Sequence, residues 1–210
     1  MPGPESPPAR QRLLLVLGVL VLAALLGSGV APYERGTWWM EVAPVLIAAP
    51  VLGFTRRRYP LSTLLYALIA LHALVLIVGG TYSYARVPLG FWLQDVLHLG
   101  RNPYDKIGHF MQGLVPAMVA REVLLQRGYL RSPRMAAFLS VCVAMAISAV
   151  YELIEWGAAL ALGQGATEFL GTQGDPWDTQ SDMLYALIGA ALAVTLLRRW
   201  HDRQIKAIRY

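Results

Sequence analysis

Seven acidic or histidine side chains lie in or beside apolar segments in the second half of the chain. They are Asp105, His109, Glu152, Glu155, Asp175, Asp178 and Asp182. An ionisable side chain at membrane depth costs enough free energy that it indicates a functional site by default. Carboxylate and imidazole groups bind divalent cations and are also common general acids and bases. The residue types therefore predict a polar site with metal or acid–base chemistry.

Six of these residues form three pairs with helical spacing. The pairs are Asp105 with His109, Glu152 with Glu155, and Asp178 with Asp182. Side chains three or four residues apart project from the same face of an α-helix. The first and third pairs lie at the start of their segments and the second lies near the end of its segment, so helices that cross a membrane in alternating directions place all three pairs on the same side. We therefore expect them to meet at one membrane face.

The composition decides what kind of elements position these pairs. Hydrophobic residues make up 56% of the 210 residues and charged residues only 15%, which is typical of an integral membrane protein. A helix needs about 20 mostly apolar residues to cross the hydrocarbon core. Six segments approach or reach that length: 13–30, 38–54, 61–80, 107–125, 135–160 and 182–197. The sequence predicts an all-α fold, a polytopic membrane bundle of about six transmembrane helices.

The basic residues predict the orientation of the bundle, because cytoplasmic loops retain lysine and arginine. With the N-terminus inside, all of the 18 basic residues are cytoplasmic except Arg35, Arg86, Arg101 and Lys106. Both termini are then cytoplasmic, and the polar site faces the periplasm or the cell exterior. Topology and anionic lipid headgroups account for the net charge of +5, so membrane lipids are the expected partners and no nucleic acid is needed.

We divide the chain into three parts. Residues 1–11 form a proline-containing, disordered cytoplasmic tail, residues 12–200 a single six-helix transmembrane domain, and residues 201–210 a cytoplasmic tail. An alternative treats the first span as a cleaved signal peptide, which leaves five spans in the same orientation. The single cysteine, Cys142, is expected to be a buried apolar filler.

Several residues outside the three pairs receive their own interpretations. Residues 81–104 are expected to contain a short interfacial helix with Trp92 at headgroup level, and the glycine-rich residues 163–179 to form irregular backbone beside the carboxylates. We expect His72 to hydrogen-bond a neighbouring helix and Glu41 to reach back to water. Arg121 and Glu122 are expected to pair at the cytoplasmic end of the fourth span.

Carboxylates crowded together at low dielectric need a compensating positive charge. A divalent cation is the first possibility, and the predicted ligands are Asp105, His109, Glu152, Glu155 and Asp182. Protons carried by a glutamate and His109 are the second. The third is pairing with Lys106, Arg101 and Arg86 in a purely structural network.

Three sequence blocks resemble the YjdF family of predicted bacterial inner-membrane proteins of unknown function. The blocks are YDKIGHF at 104–110, YELIEW at 151–156 and GTQGDPWDTQSDM at 171–183, and the resemblance covers about residues 35–200. The chain is also distantly similar to VanZ-like membrane proteins, which carry an Asp-Lys-x-x-His block and a late Asp-rich block. The resemblance implies an inner-membrane location, and its blocks contain the residues already singled out.

The leading functional hypothesis is a metal-assisted site that faces outward and acts on a lipid-linked or envelope metabolite. In this hypothesis Glu155 or Asp178 is the catalytic base on a metal-bound water. The alternatives are a small proton- or ion-coupled transporter and a structural membrane protein with paired carboxylates. The sequence shows no nucleotide-binding loop, serine nucleophile elbow or haem-attachment motif, so it leaves the reaction, and even enzymatic activity, open.

Overall fold

The computed structural model of the chain describes residues 7–162 and 173–208, and within them the regular elements are all helices. The helices are α1 (Pro7–Ser28), α2 (Arg35–Thr55), α3 (Thr63–Tyr82), α4 (Pro88–Val96), α5 (Tyr104–Gln126), α6 (Pro133–Leu162), α7 (Asp178–Thr195) and α8 (Arg198–Ile208). The predicted helical fold is confirmed. Residues 1–6 and 209–210 of the predicted tails lie outside the described residues, as does most of the predicted irregular segment, at 163–172.

Four of the described helices, α1, α2, α3 and α6, are long and apolar enough to cross a membrane. Helices α7 and α8 are long and apolar enough only when they are counted together as one span, and a bend of 60° separates them. Helix α5 has 23 residues, but it also contains polar residues such as His109 and Gln112 and is not among the described helices that are apolar enough. A helical membrane bundle is thus confirmed, whereas the count of six spans and the orientation stay predictions.

Two local expectations can be compared with the described helices. The short helix expected in the loop after α3 is present as α4, and its Trp92 is exposed. Cys142 is exposed on α6, so the expectation that it fills the core is wrong. An exposed position on a membrane-spanning helix faces lipid, which accepts a small apolar side chain as readily as a protein core does.

Helix α5 lies at the centre of the bundle and contacts α3, α6 and α7. Its approach to α7 is close enough to require glycine on both helices. A Cβ at Gly113 would collide with the backbone carbonyl of Ala186, and a Cβ at Gly189 would collide with that of Phe110. Small residues at such a crossing let the two backbones pack directly against each other. This contact holds the polar first turns of α5 and α7 together.

The end of α5 opposite the polar pairs carries a second buried network. Glu122 accepts hydrogen bonds from Ser62 N at 2.5 Å and Ser62 Oγ at 2.6 Å, and His201 Nε2 lies 2.7 Å from its Oε2. Arg121 Nη2 donates to Asp202 Oδ1 at 2.5 Å. The expectation that Arg121 and Glu122 pair with each other is therefore wrong, because each of them binds residues that are remote in the sequence. These bonds attach α8 to α3 and α5.

Candidate functional site

The first turn of α5 is fixed by a buried asparagine in the preceding connection. Asn102 Nδ2 donates to Val87 O at 3.0 Å, and Asn102 Oδ1 accepts from Tyr104 N at 3.0 Å. Gly90 of α4 lies so close that a Cβ there would overlap the Asn102 amide. These contacts set where α5 begins and hence where its Asp105–His109 pair points.

Two cations hold the acids at the start of α7. Lys106 Nζ donates to Asp178 Oδ1 at 2.9 Å and to Asp182 Oδ1 at 2.6 Å. Arg101 Nη2 donates to Asp178 Oδ1 at 2.6 Å and lies 3.2 Å from Asp175 Oδ2. Burial is the largest single influence and opposes the charged form of Arg101, but the hydrogen bond to Asp178 and the charges of the nearby aspartates together outweigh it, so the pKa of Arg101 is raised. Asp178, one of the two predicted catalytic bases, is thus paired with two cations.

His109 lies between acids from three helices. Its Nε2 is 3.4 Å from Asp105 Oδ1 and 3.7 Å from Asp182 Oδ1. Its Nδ1 is 3.0 Å from Gln112 Oε1 and 3.7 Å from Glu152 Oε1. One ligand atom from each of Asp105, His109 and Asp182 can be chosen so that all three lie within 4.8 Å of one another, a spacing that allows a shared metal ion.

The two glutamates of α6 take different positions. Glu152 is buried beside His109 and takes part in a side-chain hydrogen bond with Thr179. Glu155 is also buried, but its side chain lines a cavity. Of the five predicted metal ligands, the structure therefore brings three into one compact group, places Glu152 at its edge, and places Glu155 on the neighbouring cavity wall.

The cavity has a volume of about 460 Å³ and is lined by α2, α3, α5 and α6. On α5 its wall extends from Asp105 to Ala120, about 22 Å at 1.5 Å per residue. One end is polar and contains Glu41, Tyr84, Asp105, His109, Tyr151 and Glu155. The other end is apolar and contains Leu52, Leu61, Val119, Ala120 and Val143. An elongated cavity with this polarity matches the shape of an amphiphile.

Glu41 belongs to the polar end of the cavity. It is 3% exposed, its Oε2 accepts a hydrogen bond from Tyr151 at 3.0 Å, and it shares a further side-chain hydrogen bond with Tyr84. Burial raises the pKa of Tyr84, in the loop after α3, well above its usual range, so this phenol stays a neutral donor. The expectation that Glu41 reaches back to water is wrong, because the side chain is enclosed between the two tyrosines.

His72 lines the same cavity between its two ends. Among the described residues its Nε2 is buried without a hydrogen-bond partner, so the expected bond to a neighbouring helix is not made by this atom. Asp105 Oδ2 is likewise buried and without a hydrogen-bond partner there. Buried polar atoms are normally satisfied, so these two atoms mark places where a ligand can bind.

The similarity of the chain to known proteins shows the family to which it belongs. The family model described as a predicted membrane protein, DUF2238, matches residues 13–203. The chain belongs to this DUF2238 family. It is also 58% identical over 195 residues to inner membrane protein YjdF of Escherichia coli strain K12, covering 92% of this chain and 93% of that protein. No solved structure matches the chain.

The resemblance to the YjdF family is confirmed, and the chain is an integral inner-membrane protein. The more distant similarity to VanZ-like proteins stays a prediction. In this DUF2238 protein the three sequence blocks converge: 104–110 open α5, 151–156 lie on α6, and 173–183 lead into and open α7. Residues 171–172 of the third block lie outside the described residues.

Three structurally important residues of this DUF2238 protein were not singled out by the sequence patterns or were given another role. Asn102 directly precedes Pro103, and this Asn-Pro pair before an apolar segment was the available signal for a helix start. Tyr84 carries no signal beyond its residue type. Glu41 was recognised as an unusual acid in an apolar segment, but its partner Tyr151 is 110 residues away, so local pattern could not identify it.

Proposed function

We propose that this protein binds an amphipathic, lipid-linked or envelope metabolite in the cavity and acts on it with a divalent cation held by Asp105, His109 and Asp182. One observation carries the proposal: an acid–imidazole group lies at the polar end of an elongated, otherwise apolar cavity. Asp105 and His109 belong both to the cavity wall and to the group. A substrate chain in the apolar part therefore places its polar end beside the cation.

The composition of the group fits hard or borderline divalent cations. Two carboxylates and one imidazole suit Mg²⁺, Mn²⁺ or Zn²⁺. Asp182 also accepts a hydrogen bond from Lys106. This bond orients the carboxylate and partly neutralises its negative charge. A bound cation supplies an acidic water and polarises a phosphoryl or carbonyl oxygen. Glu155 lines the same cavity and would act as the general base on a water there; that water would add to the phosphoryl or carbonyl group and the rest of the substrate would leave, which is hydrolysis at its polar end.

The first test measures metal content rather than turnover. The parent protein and the Asp182→Asn variant are purified in detergent, incubated with Mg²⁺, Mn²⁺, Ca²⁺ or Zn²⁺, desalted and submitted to elemental analysis. Asp95→Asn is the matched control, because Asp95 is an exposed aspartate on α4. We expect a near-stoichiometric metal in the parent and the control, and its loss in Asp182→Asn.

The same comparison separates a metal site from a structural one. His109→Gln, with an unchanged circular dichroism spectrum and elution volume, serves as a second ligand variant. Equal metal in parent, control and both ligand variants, or no bound metal in any of them, would remove the cation from the proposal. The ion pairs of Lys106 would then favour the structural role for the acids of α7.

A further inference from the structure

We infer that the cavity takes a single-chain amphiphile whose polar group carries a cationic amine, and that Glu41 binds this amine. The inference deepens the proposed function, on which it rests for the use of the cavity, by naming the class of ligand. It adds a binding residue, Glu41, outside the Asp105–His109–Asp182 group. Three features of the cavity support it: the shape, the charge of the wall, and the hydrogen bonding of Glu41.

The shape of the cavity fits one hydrocarbon chain. Its wall on α5 extends about 22 Å, whereas one half of a hydrocarbon core of about 30 Å is about 15 Å deep. The cavity is therefore long enough for a hydrocarbon chain that spans one leaflet. Its volume of about 460 Å³ is that of a site for one small ligand. Helix α2 packs mainly on α3, whereas α6 packs on α5 and α7. Val51 and Ile147, on α2 and α6, line the cavity and are also partly exposed on the surface, so a chain can enter sideways from the lipid.

The charge on the wall selects the polar group. The carboxylates that line the cavity are Glu41, Asp105 and Glu155. Lysine and arginine are absent from the described lining residues, and the nearby Lys106 and Arg101 pair with Asp178 and Asp182. Lys106 Nζ also lies 3.8 Å from Asp105 Oδ2, and His109 Nε2 lies 3.4 Å from Asp105 Oδ1. Glu41 and Glu155 are therefore the lining carboxylates that have no ion-pair partner among the described residues. A buried carboxylate stays ionised only when it is paired and hydrogen-bonded. An ammonium group on the ligand supplies the positive charge that pairs with such a carboxylate. A bare phosphate or sulfate is repelled by the carboxylates unless a divalent cation lies between them.

The surroundings of Glu41 leave room for this ligand. A carboxylate offers about four lone-pair sites, and the two tyrosine hydrogen bonds use about half of them. The phenol rings of Tyr84 and Tyr151 also present aromatic surface, which attracts a cation by the cation–π interaction. Asp105 Oδ2 lies on the same wall without a hydrogen-bond partner among the described residues. The polar end therefore holds acceptors that protein donors do not satisfy.

The test compares three amphiphiles of one chain length: n-hexadecylamine, n-hexadecanol and n-hexadecyl phosphate. Each is titrated against the full-length protein in nanodiscs, and bound ligand is counted by native mass spectrometry. We expect the amine to bind about tenfold tighter than the alcohol, and Glu41→Gln to remove that advantage. Asp95→Asn is the control, because Asp95 is an exposed acid on α4 that does not line the cavity.

Chain placement is tested with Ala120→Leu, which adds bulk at the apolar end of the cavity. We expect this substitution to weaken n-hexadecylamine more than n-decylamine, because only the longer chain reaches that end. Equal weakening of both amines would show that the chain lies elsewhere and would overturn the inference. Because the chain-length comparison is made within one folded variant, it does not depend on the stability of Glu41→Gln.

The outcomes separate this inference from the proposed function. Equal binding of amine and alcohol, an amine preference that persists in Glu41→Gln, or tighter binding of the phosphate would overturn the inference. The Asp182→Asn variant, which should lose the metal, should keep the amine preference, because Asp182 is not among the residues that line the cavity. Loss of the metal site with intact amine selectivity, or the reverse, identifies which of the two proposals has failed.

Discussion

His109 is the residue at which the three polar helices meet. Its two ring nitrogens lie within 3.7 Å of carboxylates from α5, α6 and α7. The three acids come from three different helices, so residues close together in the sequence do not produce this arrangement by themselves. A cation bound beside Nε2 would touch Asp105 and Asp182, while Nδ1 is oriented by Gln112. The ring position is therefore set by contacts on both sides, as metal-binding histidines require.

Lys106 supports a stability prediction at the same site. Lys106→Met should destabilise the protein by about 3–5 kcal/mol, because Asp178 and Asp182 lose a buried charge partner. Unfolding by a denaturing detergent, followed by tryptophan fluorescence, measures this change. Arg131→Met, at an exposed arginine in the α5–α6 connection, is the control and should change stability by less than about 0.5 kcal/mol. If the proposed cation site exists, Mg²⁺ or Mn²⁺ should restore part of the lost stability. A loss of stability no larger than that of the control would contradict a buried ion pair.

At the level of elements, the crossing of α5 and α7 depends on glycine. Gly113→Ala should cost about 1–3 kcal/mol, because its Cβ meets the Ala186 carbonyl and forces two backbones apart. Gly157→Ala on α6 is the matched control: its Cβ has open space, so it should be neutral or slightly stabilising. Thermal unfolding of both variants in detergent makes the comparison. Equal midpoints would show that the two helices do not pack as closely as the structure has them.

The first turn of α2 supplies a pH-dependent element. Glu34 accepts hydrogen bonds from Gly36 N at 3.0 Å and from Thr37 N, and these bonds, that of Thr37 foremost, lower the pKa of this exposed carboxyl below 4.5. A lowered folded pKa means that the stabilisation is present above the unfolded value and is lost as pH falls through the folded one. The carboxylate cap therefore stabilises α2 fully at neutral pH and weakens below about pH 4.5.

We expect Glu34→Ala to speed amide exchange at Gly36 and Thr37, with a local cost of about 1 kcal/mol at pH 7. The difference from the parent should shrink as pH falls below 4.5, because the parent then loses its own cap. Hydrogen exchange with mass spectrometry across the start of α2 follows this change. A difference that stays constant down to pH 3 would show that the charge of Glu34 contributes nothing to the cap.

The same elements show what the sequence could predict. Apolar length and helical spacing identified α5, α6 and α7 and the faces that carry their acids, because those signals are local. The Gly113–Ala186 contact and the Glu41–Tyr151 bond join residues far apart in the chain, so only the folded bundle displays them. Residues 201–210 were predicted to form a cytoplasmic tail, whereas residues 201–208 belong to helix α8. Its buried His201 contacts Glu122, which sequence pattern did not link to it.

The whole molecule places its two polar networks at opposite ends of α5. The site occupies the first turns, and Arg121 and Glu122 lie near the other end. Residues 107–120 between them contain no Asp, Glu, Lys or Arg. At 1.5 Å per residue, the 23 residues of α5 extend about 34 Å, enough for a hydrocarbon core of about 30 Å. Helix α5 is therefore long enough to span the membrane with its charges near the two interfaces.

This arrangement makes the orientation testable with single cysteines. The background is Cys142→Ala, because Cys142 is exposed on α6. Gly100→Cys, before α5, and Arg131→Cys, after it, are then labelled with a membrane-impermeant maleimide in intact bacterial cells whose outer membrane is permeable to the reagent. Both positions are exposed in the structure. If the N-terminus is cytoplasmic, we expect labelling of Gly100→Cys in intact cells and of Arg131→Cys only after the inner membrane is permeabilised.

The alternative labelling patterns separate orientation from span count. Reversed labelling would place the polar site on the cytoplasmic side and contradict the rule that basic loops remain inside. Labelling of both positions from one side would contradict α5 as a span, and the bundle would then require α5 to enter and leave by the same face. The predicted pattern requires that the ends of α5 lie on opposite sides of the membrane. The polar end of the cavity would then lie nearer the outside, and its apolar end would lie nearer the basic, cytoplasmic face.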